Sequence, residues 1–380
     1  MVGRNADLCP GCNYRFAAGS AAIFFGLIFK VAANLTTMLN NIQLLRALAA
    51  YLVVMEHARG IFPGSLIHGI THFGLYGVDL FFVISGFIMV YNTSKKTVSP
   101  AGFFEDRLIR IVPLYWTITF VVFAIAIFSP KLMHNTRADG GELLKSLFFI
   151  PYQRYNGLIQ PVAYVGWSLN YELFFYLLFA ASLFIRNRKV GLGVLIAGLT
   201  GTIIAGSIWP SNSILAEFYT DPIMGEFAMG VLIGVFYSQI SSFAFFRYAW
   251  FVIITGAAFA LTAFVWSFPL PRLVAFGLPA ALIVAGCLNL EAQGLVARSK
   301  FLQLLGAASY SVYLSHFFVT ELFVRLNHSF HSSILTSLFT GAAFVAVTIV
   351  GVVLHLFFEK PVGRWLKTKL HRTAPPATLR

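Results

Sequence analysis

Long apolar stretches, broken by short polar or proline-bearing segments, recur along the chain from about residue 40 to about residue 360. Runs of about 20 apolar residues predict helices that cross roughly 30 Å of hydrocarbon at about 1.5 Å per residue. Such helices are expected near 42–62, 72–92, 108–129, 162–185, 190–209, 221–240, 248–266, 270–290, 303–326 and 332–358. Pro100, Pro130, Pro210, Pro269 and Pro271, with the RNRK cluster at 186–189, punctuate them. The fold class this predicts is all-α: a polytopic membrane protein with about ten transmembrane helices and no internal repeat. The run AAIFFGLIFKVA (21–32) is too short to span and is interrupted by Lys30. Residues 1–37 are therefore read as an N-terminal extension, 38–360 as the transmembrane domain and 361–380 as a cytoplasmic tail.

The polar residues that interrupt these stretches carry the chemistry. In LLRALAAYLVVMEHARG (44–60), Arg46 and His57 lie eleven residues apart. That is about three turns, which puts them on nearly one face and separates them by roughly 16 Å along the axis. A charge facing lipid at depth costs about 2.5–3.5 kcal/mol or more, so this face is expected to look into the bundle or a wet cavity. Asp79 in LYGVDLFFVISGF (75–87), Glu172 in VGWSLNYELFFY (165–176) and His316 in GAASYSVYLSHFF (306–318) fall on other spans. With His57 they form a set of proton-handling candidates between the midplane and the outer side. Each of them alone could equally bond a neighbouring helix, an interaction worth only about 0.6–2 kcal/mol. In FFEDRLIRIVPLYW (103–116), Arg107 and Arg110 lie three apart on one face at the inner mouth of the third span. With Arg46 they are a candidate anion site, since guanidinium forks suit phosphate oxygens. Lys95, Lys96 and the RNRK cluster read as membrane anchors.

Composition sharpens this picture. Of 380 residues, 58% are hydrophobic and 11% charged, which excludes an ordinary soluble domain. The net charge of +13 comes without a long Lys/Arg tract interleaved with aromatics, so nucleic acid is not an expected partner. With the N-terminus inside, most of the Lys and Arg residues fall in inner segments. Arg59, Lys131, Arg137, Lys145, Arg154, Arg272 and Arg325 are left outside. The bias predicts cytoplasmic N- and C-termini. Cys9 and Cys12 form CPGC, half of a zinc site or a redox pair, and Cys287 stands alone. No further ligands lie in the required pattern, so no metal is expected.

Phosphate-binding cations inside and proton-transfer groups midway or outside suit a donor with an anionic head and a long arm ending in a reactive carbonyl. A coenzyme A thioester has that shape. A hydroxyl acceptor would enter from the outer side and lose its proton to a histidine held by a carboxylate. The same buried charges also describe a proton-coupled transporter of a sugar or related metabolite.

The segments IQLLRALAAYLVVMEH (42–57), GVDLFFVISGF (77–87), RLIRIVPLYW (107–116), WSLNYELFFY (167–176) and SYSVYLSH (309–316) occur in the order found in the acyltransferase-3 family. The chain resembles that family, and within it the exopolysaccharide-modifying bacterial members, from about residue 40 to 360. The resemblance implies a ten-helix domain in the bacterial inner membrane that moves an acyl group, usually acetyl from acetyl-CoA, onto a carbohydrate hydroxyl. It implies no permanently bound cofactor; polysaccharide-biosynthesis proteins are expected partners. The family's arginine-to-histidine pattern falls on Arg46 and His57, and its paired arginines on Arg107 and Arg110. Its Trp-Ser-Leu-x-x-Glu pattern falls on Trp167, Ser168, Leu169 and Glu172. His57 is expected to act as general base or transient acyl carrier, with Glu172 or Asp79 orienting it. Ser168, Tyr310 or Ser311 would polarise the carbonyl. Some members add a periplasmic esterase-like domain, so any second-stage partner is expected to be separate, or the transfer is completed by this chain.

Overall fold

The structure is a computed structural model that describes residues 39–61, 72–95, 97–132, 136–242, 247–266, 269–327 and 333–373. The extension at 1–37, with Cys9 and Cys12, lies outside these, as do Lys96 and the last residues of the tail. The described chain is helical, with one isolated antiparallel bridge between Gln153 and Ile159. In chain order the helices are α1 (Asn40–His57), α2 (Tyr76–Ser94), α3 (Pro100–Phe128), α4 (Gly140–Leu147) and α5 (Trp167–Ser182). They continue with α6 (Arg188–Ile208), α7 (Ile214–Tyr219), α8 (Met224–Val235), α9 (Tyr237–Ser242) and α10 (Ala249–Trp266). The last are α11 (Leu278–Ala292), α12 (Lys300–Asn327), α13 (Ser333–Leu354) and α14 (Lys360–Thr373).

Every apolar segment expected to span carries a helix. Five helical stretches are long and apolar enough to cross a membrane: Phe73–Ser94, Pro100–Phe128, Arg188–Ile208, Leu273–Ala292 and Ser337–Leu370. The helices outside that set fall short for identifiable reasons. α1 carries Arg46, Glu56 and His57, and α12 buries Ser309, Ser311, Ser315 and His316, so polar groups turned inward lower their hydropathy. α8 is 12 residues long, shorter than a full span. Large apolar side chains such as Phe128, Phe184, Phe251 and Ile254 stand exposed on the outward faces, as a lipid-facing surface requires.

Glycines bring the central helices into backbone contact. A Cβ at Gly86 of α2 would stand 2.2 Å from the Phe227 carbonyl oxygen of α8, and one at Gly230 would stand 2.1 Å from that of Val83. Gly306 of α12 meets the Gln43 carbonyl of α1 in the same way, at 2.1 Å. Small residues at crossings are how helices associate where lipid offers no hydrophobic drive. Phe82, Phe175 and Phe227 stack above the α2–α8 crossing, with ring centroids 4.4 and 4.5 Å apart. Polar groups finish the helix ends. Glu291 of α11 accepts the Asn40 and Asn41 amides at 2.6 and 2.9 Å, capping α1 with negative charge. Arg188 caps the other end of α2 by donating to the carbonyls of Val90 and Thr93.

Candidate active site

His57 closes α1, and His316 lies in the middle of α12. The tight crossing at Gly306 holds the two helices together along this face. Their imidazole centroids are 4.8 Å apart, edge to face, and Tyr164 packs on His57 at 5.6 Å. His57 Nδ1 lies 2.9 Å from the Val53 carbonyl oxygen, and His316 Nδ1 lies 2.6 Å from that of Tyr313. A carbonyl can only accept, which assigns the proton to Nδ1 in both rings and leaves both Nε2 atoms with a lone pair. His316 Nε2 is buried with no hydrogen-bond partner. The two adjacent imidazoles thus each keep one unprotonated ring nitrogen.

The expectation that a carboxylate orients His57 is corrected by this geometry, because a backbone carbonyl of its own helix does so. Asp79 is fully buried and accepts from Arg272 rather than from a histidine: Arg272 reaches it with Nη2 at 2.7 Å, and Arg272 Nε lies 3.6 Å from Glu226. Glu172 belongs to a different chamber. Its Oε1 accepts from Ser85 Oγ at 2.9 Å and from Tyr176 Oη. The expected separation of cations from acid is therefore not kept, since Glu172 shares that chamber with Arg46 and Arg110.

This inner cavity is walled by α1, α2, α3, α5 and α12, with Arg46, Ser85, Arg110, Ser168, Glu172, Tyr176, Ser309, Tyr310 and Tyr313 as its polar groups. It is narrow: the centre of a water-sized sphere can roam only about 70 Å³ of it. The Arg46 guanidinium is held by Gln43 Oε1 at 3.1 Å and Ser309 Oγ at 2.9 Å. Tyr310 is on the wall, but its hydroxyl donates to the Ile111 carbonyl at 2.7 Å. Tyr313 Oη donates to the Val165 carbonyl at 2.7 Å, so with its one proton used it accepts from Ser168 Oγ at 2.6 Å. Tyr313 also lies 6.0 Å from His316, ring to ring, and forms the partition between cavity and histidines.

Besides the two histidines and Asp79, three more expected site residues are not on the cavity wall. Arg107 lies over the Phe103 ring at 5.7 Å, its Nε buried without a partner. Trp167 packs edge-on against Tyr171 at 6.0 Å. Ser311 donates to Glu359 Oε2 at 2.6 Å, an oxygen that His355 Nδ1 also meets at 2.8 Å. Glu359 and His355 end a π-helical turn between α13 and α14, a geometry common at functional sites. Sequence reasoning passed over this pair, and over Ser309 and Tyr313. The spacing of Ser309, Tyr313 and His316, at i, i+4 and i+7, was a signal that they share one helix face.

A helical membrane protein with an internal polar cavity and a neighbouring pair of imidazoles is the class that fold and site define. Within it the chain belongs to the acyltransferase-3 family, whose acyltransferase domain matches residues 39–356. Two relatives are similar over most of their length. One is "Exopolysaccharide production protein ExoZ" of Rhizobium meliloti (strain 1021), 37% identical over 296 residues, 77% of this chain and 90% of that protein. The other is "Acyltransferase MdmB" of Streptomyces mycarofaciens, 29% identical over 360 residues, 83% of this chain and 87% of that protein. "Peptidoglycan O-acetyltransferase OatA" of Listeria monocytogenes is 28% identical over 203 residues, covering 48% of this chain and 30% of that protein. No solved structure matches. The protein is a membrane-bound acyltransferase, of the class that transfers groups other than aminoacyl groups.

Proposed function

We propose that the protein transfers an acyl group, acetyl from acetyl-CoA, to a hydroxyl of an extracytoplasmic or lipid-linked carbohydrate such as exopolysaccharide. The observation that carries this reading is the imidazole pair with bare Nε2 atoms, set one tyrosine away from a cavity holding two guanidinium groups. The printed names of two relatives, one for exopolysaccharide production and one for peptidoglycan O-acetylation, support a carbohydrate acceptor. The basic inner segments support cytoplasmic termini in the bacterial inner membrane.

In this mechanism His57 Nε2 takes the proton of the acceptor hydroxyl as its oxygen attacks the thioester carbonyl carbon. The carbon–sulfur bond breaks, the ester forms, and the thiolate leaves with the proton that His57 gives up. His316 packs edge to face against the His57 ring and holds its plane during the transfer. Arg46 and Arg110 stabilise negative charge on the donor from the cavity wall, where a low dielectric strengthens them. Glu172, Ser85, Ser168 and Tyr310 shape that wall. Asp79 holds the fold beside it through Arg272.

The test is purified protein in vesicles with radiolabelled acetyl-CoA and an oligosaccharide, together with mass spectrometry of surface polysaccharide from cells with and without the protein. Label on the sugar and free thiol in equal amounts are expected. Sugar movement without thioester loss would mark a transporter and overturn the reading. A labelled enzyme intermediate would assign His57 the role of acyl carrier in place of base.

A further inference from the structure

A second cavity opens between the Ser94 end of α2, the Ser182 end of α5 and the start of α6. Thr93, Lys95, Thr97, Ser182, Arg186 and Arg188 supply its polar wall, and no carboxylate stands among its lining residues. It is far roomier than the inner cavity, about 470 Å³ by the same measure. Lys95 and the RNRK cluster were expected to be membrane anchors only, yet they meet across this space. Arg188 is spent on the end of α2, through Val90, Thr93 Oγ1 and Thr93 O. Lys95 uses one of its three donors on Tyr91 Oη at 2.7 Å. Arg186 is exposed at the rim. The amino end of α6, a 21-residue helix, adds its positive dipole end from the same side.

The two cavities lie end to end on one seam. Met89 and Tyr176 line the inner cavity, and Thr93 and Phe179, one turn further along the same two helices, line the outer vestibule. From Ser85 to Lys95 along α2 is about 15 Å, at about 1.5 Å per residue. An extended pantetheine arm covers that distance. Arg46 is buried at 6% exposure and already held by two partners, so it suits the thioester end better than a bulky phosphate head.

We propose that this basic vestibule seats the phosphates of the acyl donor, with the arm running along the α2–α5 seam to Ser85 and Glu172. The proposal rests on the acyl-CoA reading above and adds where the nucleotide end binds. The shared chemistry is a phosphate group, which an anionic lipid headgroup could also supply.

The experiment measures binding of coenzyme A and of adenosine 3′,5′-bisphosphate to the full chain in detergent, then in nanodiscs with and without phosphatidylglycerol. Lys95→Glu and Arg186→Glu are compared with Lys131→Glu, an exposed charge reversal elsewhere. A loss of at least tenfold in affinity is expected for the first two, alone or combined, and none for Lys131→Glu. Binding of both nucleotides should weaken as ionic strength rises. Acetyl-pantetheine, which has no phosphates, should be used by the vestibule variants as by the wild type, with the difference confined to KM for acetyl-CoA. If the wild type consumes acetyl-CoA and the variants keep its KM, the vestibule assignment is overturned and the acyl-CoA reading stands. If wild-type protein neither binds coenzyme A nor consumes acetyl-CoA, both fall. Competition by phosphatidylglycerol with no nucleotide binding would make the vestibule a lipid site and overturn the proposal.

Discussion

His57 and His316 are set by the same small device, a ring nitrogen tied to a carbonyl of its own helix so that the opposite nitrogen keeps its lone pair. His57→Ala should lower transfer by at least about 100-fold, the range for loss of a general base, while the protein still reaches the membrane. The measurement is acetyl-CoA turnover at equal protein level, and near-wild-type turnover would remove His57 from the mechanism. His316→Asn removes the bare ring nitrogen without adding volume at this fully buried position, and should cut kcat by about tenfold or more with little change in KM for the donor. Arg46 and His57 on one inward face were legible in the sequence, because eleven residues of helix fix their relation without tertiary knowledge. Their partners were missed. Ser309 holds Arg46 only because of how α12 docks, while Gln43 and the Val53 carbonyl are partners from α1 itself, three and four residues back, that were passed over, the latter in favour of carboxylates on other helices.

Among the elements, α2 and α8 show how much a single atom decides. Gly230→Ala would place a Cβ against the Val83 carbonyl, where backbone cannot step aside. Overpacking of this kind costs about 1–3 kcal/mol, so the variant should unfold at lower temperature in detergent, read by loss of the monodisperse peak. Gly193→Ala on α6 meets nothing within 4 Å and should be neutral or stabilising by up to about 1 kcal/mol. Hydropathy located every one of these helices, since apolar length is a local property. It overstated α8: the span expected over 221–240 breaks at Phe236, between α8 and the short α9. It also missed that the apolar run of α13 continues through a π turn into the charged helix α14.

On the scale of the whole molecule, Arg272 clamps parts far apart in sequence, with Asp79 from α2 and Glu226 from α8 both fully buried against it. Arg272→Gln leaves two buried carboxylates facing each other without a cation. Removing one partner of a buried pair costs about 3–5 kcal/mol, toward the low end here because Arg272 is 34% exposed. The expected result is a large fall in thermal stability, partly restored by Glu226→Gln in the same chain. Nothing in the sequence linked Arg272 to Asp79, since it was counted only as an outer-side charge.

The Tyr313 partition has a consequence for the cell that carries this protein. A hydroxyl that donates to Val165 and accepts from Ser168 fixes this ring between the inner cavity, whose wall it forms, and His316. Tyr313→Ala should open the inner cavity towards the histidines, and vesicles holding that variant should let an imposed pH gradient collapse faster than wild-type vesicles do. On the proposed reaction, a ring held in this way lets acyl transfer proceed without costing the cell its proton gradient.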